Sequence, residues 1–164
     1  MTGAVLSVGS NVGDRLGHLR GCVRGFGGVV TAVSPVYETA PWGGVAQQPF
    51  LNAVLLVADD TADAAEWLRR GQDQESRAGR TREVRWGPRT LDVDVVCVDD
   101  VRSADPVLTL PHPHAHERAF VLVPWLAADP GAVLPGRGPV KHLVGALPAA
   151  ERDGVCRRDD LVLP

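Results

Sequence analysis

Apolar positions along this chain follow two rhythms, and the switches between them mark its elements. Ala4–Val8 is a short apolar run that stops at Gly9-Ser10-Asn11 and reads as a first strand. From about Asp14 the apolar positions change to helical spacing, at Leu16, Leu19, Val23 and Phe26, and Gly27-Gly28 can end that helix. Val29–Glu38, rich in Val and Thr, reads as a second strand. A loop holding Pro41, Trp42, two glycines and Gln47-Gln48-Pro49 leads into a third strand, Phe50–Val57. Asp59-Asp60-Thr61 offers an N-cap for a second helix that runs to about Arg77. An arginine-bearing loop comes next, then a fourth strand, Thr90–Val98.

The order β-α-β-β-α-β predicts an α+β chain with a ferredoxin-like core: an antiparallel sheet with its helices packed on one face. His116–Ala127 predicts an extra C-terminal helix. The irregular tail from Asp129 is rich in Gly and Pro, with a short helix near Val140–Leu147. No repeat, low-complexity segment or linker divides the sequence, so residues 1–164 read as a single domain.

Composition narrows the options. The 164 residues suffice for one real core, and 45% hydrophobic with 23% charged content is ordinary for a globular protein. A net charge of −3 argues against general nucleic-acid binding, so clustered arginines must be local. Cys22, Cys97 and Cys156 are odd in number and far apart, which predicts reduced thiols in a cytoplasmic protein. The N-terminus lacks the basic region of a signal peptide, and no apolar run is long enough to span a membrane.

The segment Arg85-Trp-Gly-Pro-Arg-Thr-Leu-Asp-Val-Asp-Val-Val96 carries the clearest chemistry. In a strand, Asp92 and Asp94 point to one face while Leu91, Val93 and Val95 fill the other. Two carboxylates on one face repel unless a cation joins them, and Mg²⁺ enters such sites together with phosphates. Arg77, Arg80, Arg82, Arg85 and Arg89 lie just upstream and supply phosphate-binding guanidiniums. Gly79 and Gly87-Pro88 make their segment a loop able to fold over a ligand, whereas Arg89 is tied to the strand. The alternative is a solvated basic loop.

Aromatic residues come next. Trp42 and Trp86 fall in polar, Gly/Pro-rich loops, where core burial is not automatic, and can sandwich a flat heterocycle with Asn52 reading its polar edge. His112, His114 and His116 alternate, but Pro111 and Pro113 break regular spacing and no cysteine is near. Phosphate contact by a histidine and Arg118 is preferred over zinc. Ser10-Asn11-x-Gly13-Asp14 lacks the Gly-x-x-x-x-Gly-Lys-[Ser/Thr] pattern and reads as a strand-to-helix turn at the edge of the site.

Taken in order, these motifs resemble the 6-hydroxymethyl-7,8-dihydropterin pyrophosphokinase family. The resemblance rests on Gly9-Ser-Asn11, Tyr37-x-Thr39 before Pro41 and Gly43, Phe50-Leu-Asn52, and Glu75. It continues through Arg85–Asp94, Leu110-Pro-His112 and Arg118-Ala-Phe120, and extends to about Val133. It implies transfer of the β,γ-pyrophosphoryl group of ATP to the pterin hydroxymethyl oxygen in folate biosynthesis, with release of AMP. It further implies two Mg²⁺ ions on Asp92 and Asp94, mobile catalytic arginines at Arg80 and Arg82, and a fixed one at Arg89. The pterin slot falls on Thr39, Trp42, Phe50, Asn52, Trp86 and Phe120. Nucleotide contacts fall on Gln72, Glu75, Thr109, His112 and Arg118, beside the three arginines. The tail past Asp153, with Cys156 and Arg157-Arg158, matches no part of the pattern. The partners implied are small molecules, with no nucleic acid and no membrane, and the chain is expected to be monomeric.

Two other classes compete. A non-catalytic nucleotide- or pterin-binding domain would not need both aspartates. An RNA-binding module on the same sheet would carry aromatics on its central strands and a basic face. This chain has aspartates there and is acidic.

Overall fold

The computed structural model describes residues 3–39, 48–79 and 90–164. Its elements in chain order begin with β1 (Gly3–Ser10), α1 (Arg15–Phe26), β2 (Val30–Val33), β3 (Tyr37–Thr39), β4 (Phe50–Ala58), α2 (Ala64–Arg77) and β5 (Asp92–Val98). A hairpin follows, β6 (Ser103–Asp105) and β7 (Leu108–Leu110), and then α3 (Ala119–Ala128). The chain closes with β8 (Val133–Leu134), β9 (Gly138–Pro139), α4 (Val140–Ala146), α5 (Ala149–Asp153) and β10 (Val155–Arg157).

The main sheet runs β10-β3-β4-β1-β5, with β2 also on β4, and every pairing is antiparallel. With β2 and β3 taken as one interrupted strand, this is the ferredoxin-like order of the core. The interruption corrects the expected strand Val29–Glu38. Ser34 and Pro35 break it, because Pro has no N–H for a ladder. Ser34 Oγ instead accepts the Val54 N–H at 2.8 Å, which keeps the break attached to β4.

Strand alternation sorts the core. Leu6, Val8, Leu51, Ala53, Leu55, Val93 and Val95 lie on one face, under Leu19, Cys22, Val23 and Phe26 of α1 and Trp67 of α2. Val54 and Val96 lie on the other, with Val5 and Leu56 beside them, under Val121, Leu122 and Trp125 of α3 and Val140 of α4. Helices therefore cover both faces, not one as expected from β-α-β-β-α-β alone. The reason is in β4, whose Ala53-Val54-Leu55-Leu56-Val57 is apolar on both sides and must be covered twice.

Local chemistry sets the helix ends. Asp14 caps α1 by accepting the Gly17 N–H at 2.9 Å. The cap of α2 is Asp63, which accepts the Glu66 N–H at 2.8 Å, and not the expected Asp59–Thr61. Asp59 instead closes a turn onto the N–H and hydroxyl of Thr61, at 2.8 and 2.7 Å. The extra helix starts at Ala119, later than the expected His116, because residues 115–117 form a tighter 3₁₀ turn. The tail past Asp153, which the sequence left unplaced, becomes β10 on the outer side of β3. Cys22 and Cys97 are buried, and burial pushes both thiols up to about 12, which leaves them unreactive.

Candidate active site

The second sheet face is apolar at one end and polar at the other, and the polar end is where the candidate residues meet. Tyr37 pairs with Asn52, Asn52 with Gly9, and Gly9 with Asp92, so one row crosses four strands from β3 to β5. Directly paired residues share a face. In the row below, Val54 pairs with Ser7 and Ser7 with Asp94. In the row above, Thr39 pairs with Phe50. Thr39, Phe50, Asn52, Asp92 and Asp94 therefore open onto one surface, with Asn52 and Asp92 two strand spacings apart, about 10 Å.

β1 forms the floor between them. A Cβ on Gly9 would stand 2.8 Å from Asn52 Oδ1 and 3.4 Å from Phe50 Cδ1. The missing side chain lets Asn52 and Phe50 lean over β1. Asn52 is 4% exposed, and its Nδ2 donates to Thr39 Oγ1 at 2.7 Å. The chain's periodicity gives Gly9 no role beyond the motif Gly9-Ser10-Asn11. The available signal was Ser7 and Gly9, small residues at alternate positions of an otherwise bulky strand.

β5 is the sheet edge, and its outer side is covered. Glu75, 4% exposed, accepts the Val93 N–H at 3.0 Å, and Val96 O accepts the His112 N–H at 2.7 Å. Glu75 thus spends one carboxylate oxygen on holding the strand that carries the aspartates. Gln72 stands exposed on α2, three residues earlier. Thr109 lies on β7, its hydroxyl donating to Asp105 O at 3.0 Å.

Arg118 immediately precedes α3 and reaches back to β5. Its Nη1 is 3.8 Å from Asp94 Oδ2, and its guanidinium lies 5.5 Å from the centre of the Phe120 ring. At 3.8 Å the two charges attract without a hydrogen bond. The structure thus brings Arg118 to the aspartates, with the Phe120 ring beside its guanidinium. Trp42, Arg80, Arg82, Trp86 and Arg89 lie outside the described residues.

His112 is poised as a neutral donor. Its Nδ1 accepts the His114 N–H at 3.2 Å, which leaves the ring proton on Nε2. Burial, then the nearby charges of Arg118 and His114, lower its pKa to about 4, against an upward pull from Asp92. The unfolded chain would take up this proton near 6.5. His112 therefore costs no stability above that pH, and destabilises the fold progressively as pH falls from about 6.5 to about 4. NMR titration of the ligand-free protein should show the His112 ring unprotonated above pH 5; a midpoint near 6.5 would contradict this reading. His114 turns away, to Glu117 Oε1 at 3.1 Å.

The donor set suits a hard cation bound together with a polyanion. Asp92 and Asp94 are half-buried strand neighbours with oxygen ligands only. Among the described residues, no group of three or more His, Cys, Asp or Glu side chains could hold a metal ion. Phosphate oxygens and water would have to complete the shell, as Mg²⁺ prefers. Fold and donor set together fit a class: α+β enzymes that handle phosphoryl groups with the help of a metal ion.

Comparison with known proteins narrows the class. The family model described as 7,8-dihydro-6-hydroxymethylpterin-pyrophosphokinase (HPPK) matches residues 5–130. The 2-amino-4-hydroxy-6-hydroxymethyldihydropteridine pyrophosphokinase of Mycobacterium tuberculosis (strain ATCC 25618 / H37Rv) is 52% identical over 167 residues, covering 94% of this chain and 89% of its own length. The Bacillus subtilis (strain 168) protein of the same name is 41% identical over 125 residues, covering 74% of each chain. The crystal structure of Plasmodium falciparum HPPK-DHPS wild type with SDX-DHP superposes with a TM-score of 0.67 at 13% identity. It covers 88% of this chain, which spans 43% of that one, and at this identity it speaks for the fold alone. The chain belongs to the HPPK family and is an ATP-dependent diphosphokinase.

Proposed function

We propose that this chain transfers pyrophosphate to its pterin with the heterocycle on the β4 side of the face and the nucleotide on the β5 side. The observation that supports this is the row Asn52–Gly9–Asp92, in which a buried amide and a carboxylate flank a floor without side chains. In the reaction, the hydroxymethyl oxygen of 6-hydroxymethyl-7,8-dihydropterin bonds to the β-phosphorus of ATP. The bond from that phosphorus to the α–β bridging oxygen breaks, the hydroxyl proton passes to solvent, and AMP departs.

Asp92 and Asp94 would hold two Mg²⁺ ions, which supply charge neutralisation and acidify the attacking hydroxyl. The chain's own side chains then bind and orient. Thr39, Phe50 and Asn52, with Trp42, Trp86 and Phe120, take the pterin. Asn52 spends its amide N–H on Thr39 and turns its carbonyl oxygen over Gly9, where it can accept from the heterocycle. His112 offers Nε2–H to a phosphate oxygen. Arg118, too far from Asp94 for a hydrogen bond, keeps its donors for the nucleotide. Gln72, Glu75 and Thr109 complete the nucleotide side with Arg89, while Arg80 and Arg82 reach the phosphates as the transition state forms. No side chain is assigned as general base, because alignment and neutralisation carry most of this chemistry.

We place the enzyme in the cytoplasm, as a monomer in which residues 1–164 form one domain. Light scattering would check the monomer. AMP formation from ATP, with and without the hydroxymethyl-dihydropterin, tests the function. We expect AMP only when both substrates and Mg²⁺ are present. AMP release that ignores the pterin would overturn the reading.

A further inference from the structure

We propose that Arg15, Glu38 and Arg158 form a positioning clamp for the pterin side of the site, which makes the C-terminal tail a working part of that subsite. The proposal rests on placing the pterin at Thr39, Phe50 and Asn52.

Thr39 ends β3, a strand of only 3 residues. So short a strand is weakly held by its ladder alone. Glu38 neighbours Thr39 and points to the opposite face, away from the pterin. There its Oε2 accepts from Arg15 Nη1 at 2.9 Å and from Arg158 Nη1 at 3.2 Å. Arg15 Nη1 also donates to Pro49 O at 2.9 Å. Glu38 lies one residue before Thr39, and Pro49 lies one residue before Phe50. One guanidinium therefore ties the strand end that presents Thr39 to the strand start that presents Phe50 and Asn52. From the same β1–α1 turn, Asn11 Nδ2 donates to Gln48 O at 3.1 Å, a second tie to the start of β4.

The tail supplies the other half. β10 pairs with β3 through Val155–Thr39, Cys156–Glu38 and Arg157–Tyr37, and the Arg158 N–H continues the contact to Val36 O at 2.8 Å. Arg158 is aimed before it reaches Glu38, because Nε and Nη2 grip the two carboxylate oxygens of Asp160 at 3.0 and 2.8 Å. Further on, Arg20 Nε donates to Val162 O at 3.0 Å, which anchors the tail to α1. The Arg15, Glu38 and Arg158 side chains are 23%, 29% and 33% exposed, too sheltered for ordinary surface pairs. None of the three is placed on a substrate, so the cluster acts through the position of Thr39 relative to Asn52.

The test uses the full chain with Glu38→Gln, Arg158→Ala, Arg158→Lys and Asn52→Ala. Two affinities are measured by calorimetry, at a temperature where circular dichroism shows every variant folded. One is for a non-hydrolysable ATP analogue with Mg²⁺; the other is for the hydroxymethyl-dihydropterin at saturating analogue. Glu38→Gln and Arg158→Ala should each weaken pterin binding by about threefold to tenfold, in keeping with half-buried ion pairs. Analogue affinity should stay unchanged, and Arg158→Lys should recover only a small part of the loss, because one ammonium cannot keep the two-point grip on Asp160 and also reach Glu38. If Asn52→Ala weakens pterin binding while Glu38→Gln and Arg158→Ala do not, the clamp is wrong and the pterin placement stands. If Asn52→Ala has no effect, the placement fails and takes the clamp with it. Parallel losses of both ligands would make the cluster a structural support only, and would also overturn the proposal.

Discussion

Asp92→Ala and Asp94→Ala are each expected to abolish turnover while leaving the protein folded. Both side chains are half-buried at the end of β5 on the polar part of the sheet face, so their removal opens no core cavity. Asp94 Oδ2 meets Arg118 Nη1 at 3.8 Å, an attraction without a hydrogen bond. Stability is expected to move by about 1 kcal/mol, as for most single substitutions outside the core. Catalysis is different, because two carboxylates at one site hold the cations that neutralise the transferring group. Losing either should cost on the order of several kcal/mol of transition-state stabilisation, or at least ~10³-fold in kcat. Urea unfolding and steady-state AMP formation at several Mg²⁺ concentrations measure the two effects separately. Near-normal turnover of either variant at saturating Mg²⁺ would remove the metal role from this pair.

Gly9→Ala should damage the pterin side as selectively as the aspartate variants damage the metal side. In a strand, exchanging Gly for Ala ordinarily gains stability, because the unfolded chain loses freedom. Here the new Cβ would lie 2.8 Å from Asn52 Oδ1, closer than side chains tolerate. Asn52 is almost fully buried and bonded to Thr39 at 2.7 Å, so it cannot swing aside without breaking that bond. Breaking it leaves a buried amide unsatisfied and moves the group that reads the heterocycle edge. We expect pterin affinity to fall by about 1.5–3 kcal/mol, with much less change for the ATP analogue. Calorimetric titration of the two ligands decides. Wild-type pterin affinity in Gly9→Ala would show that nothing in the site depends on the close approach of Asn52 to β1.

Much of this was readable in the chain. Apolar runs and helical apolar spacing located α1, β4, α2 and β5 within a few residues, because burial imposes its pattern on neighbouring positions directly. The Asp92-x-Asp94 spacing put both carboxylates on one face for the same reason. Three features were not readable. The break at Ser34-Pro35 was hidden inside a Val- and Thr-rich run. Asp63 displaced the Asp59–Thr61 cluster as helix cap, since several Asp and Thr residues compete there and only backbone geometry selects one. The hairpin of β6 and β7 is too short to carry a periodic signal.

What the sequence determined by itself was therefore the inventory: the elements, their order, the paired aspartates, and the motifs that mark the HPPK family. Local residue preferences and side-chain alternation are properties of neighbouring positions, and they survive without any knowledge of the fold. What only the tertiary structure decided was adjacency between distant segments. Asn52 and Asp92 share a row because β1 lies between β4 and β5. α3 covers the second sheet face and brings Arg118 to Asp94. The tail returns across ~120 residues to place Arg158 on Glu38. Such pairings are fixed by which apolar faces bury one another, and that choice belongs to the packed molecule rather than to any stretch of its chain.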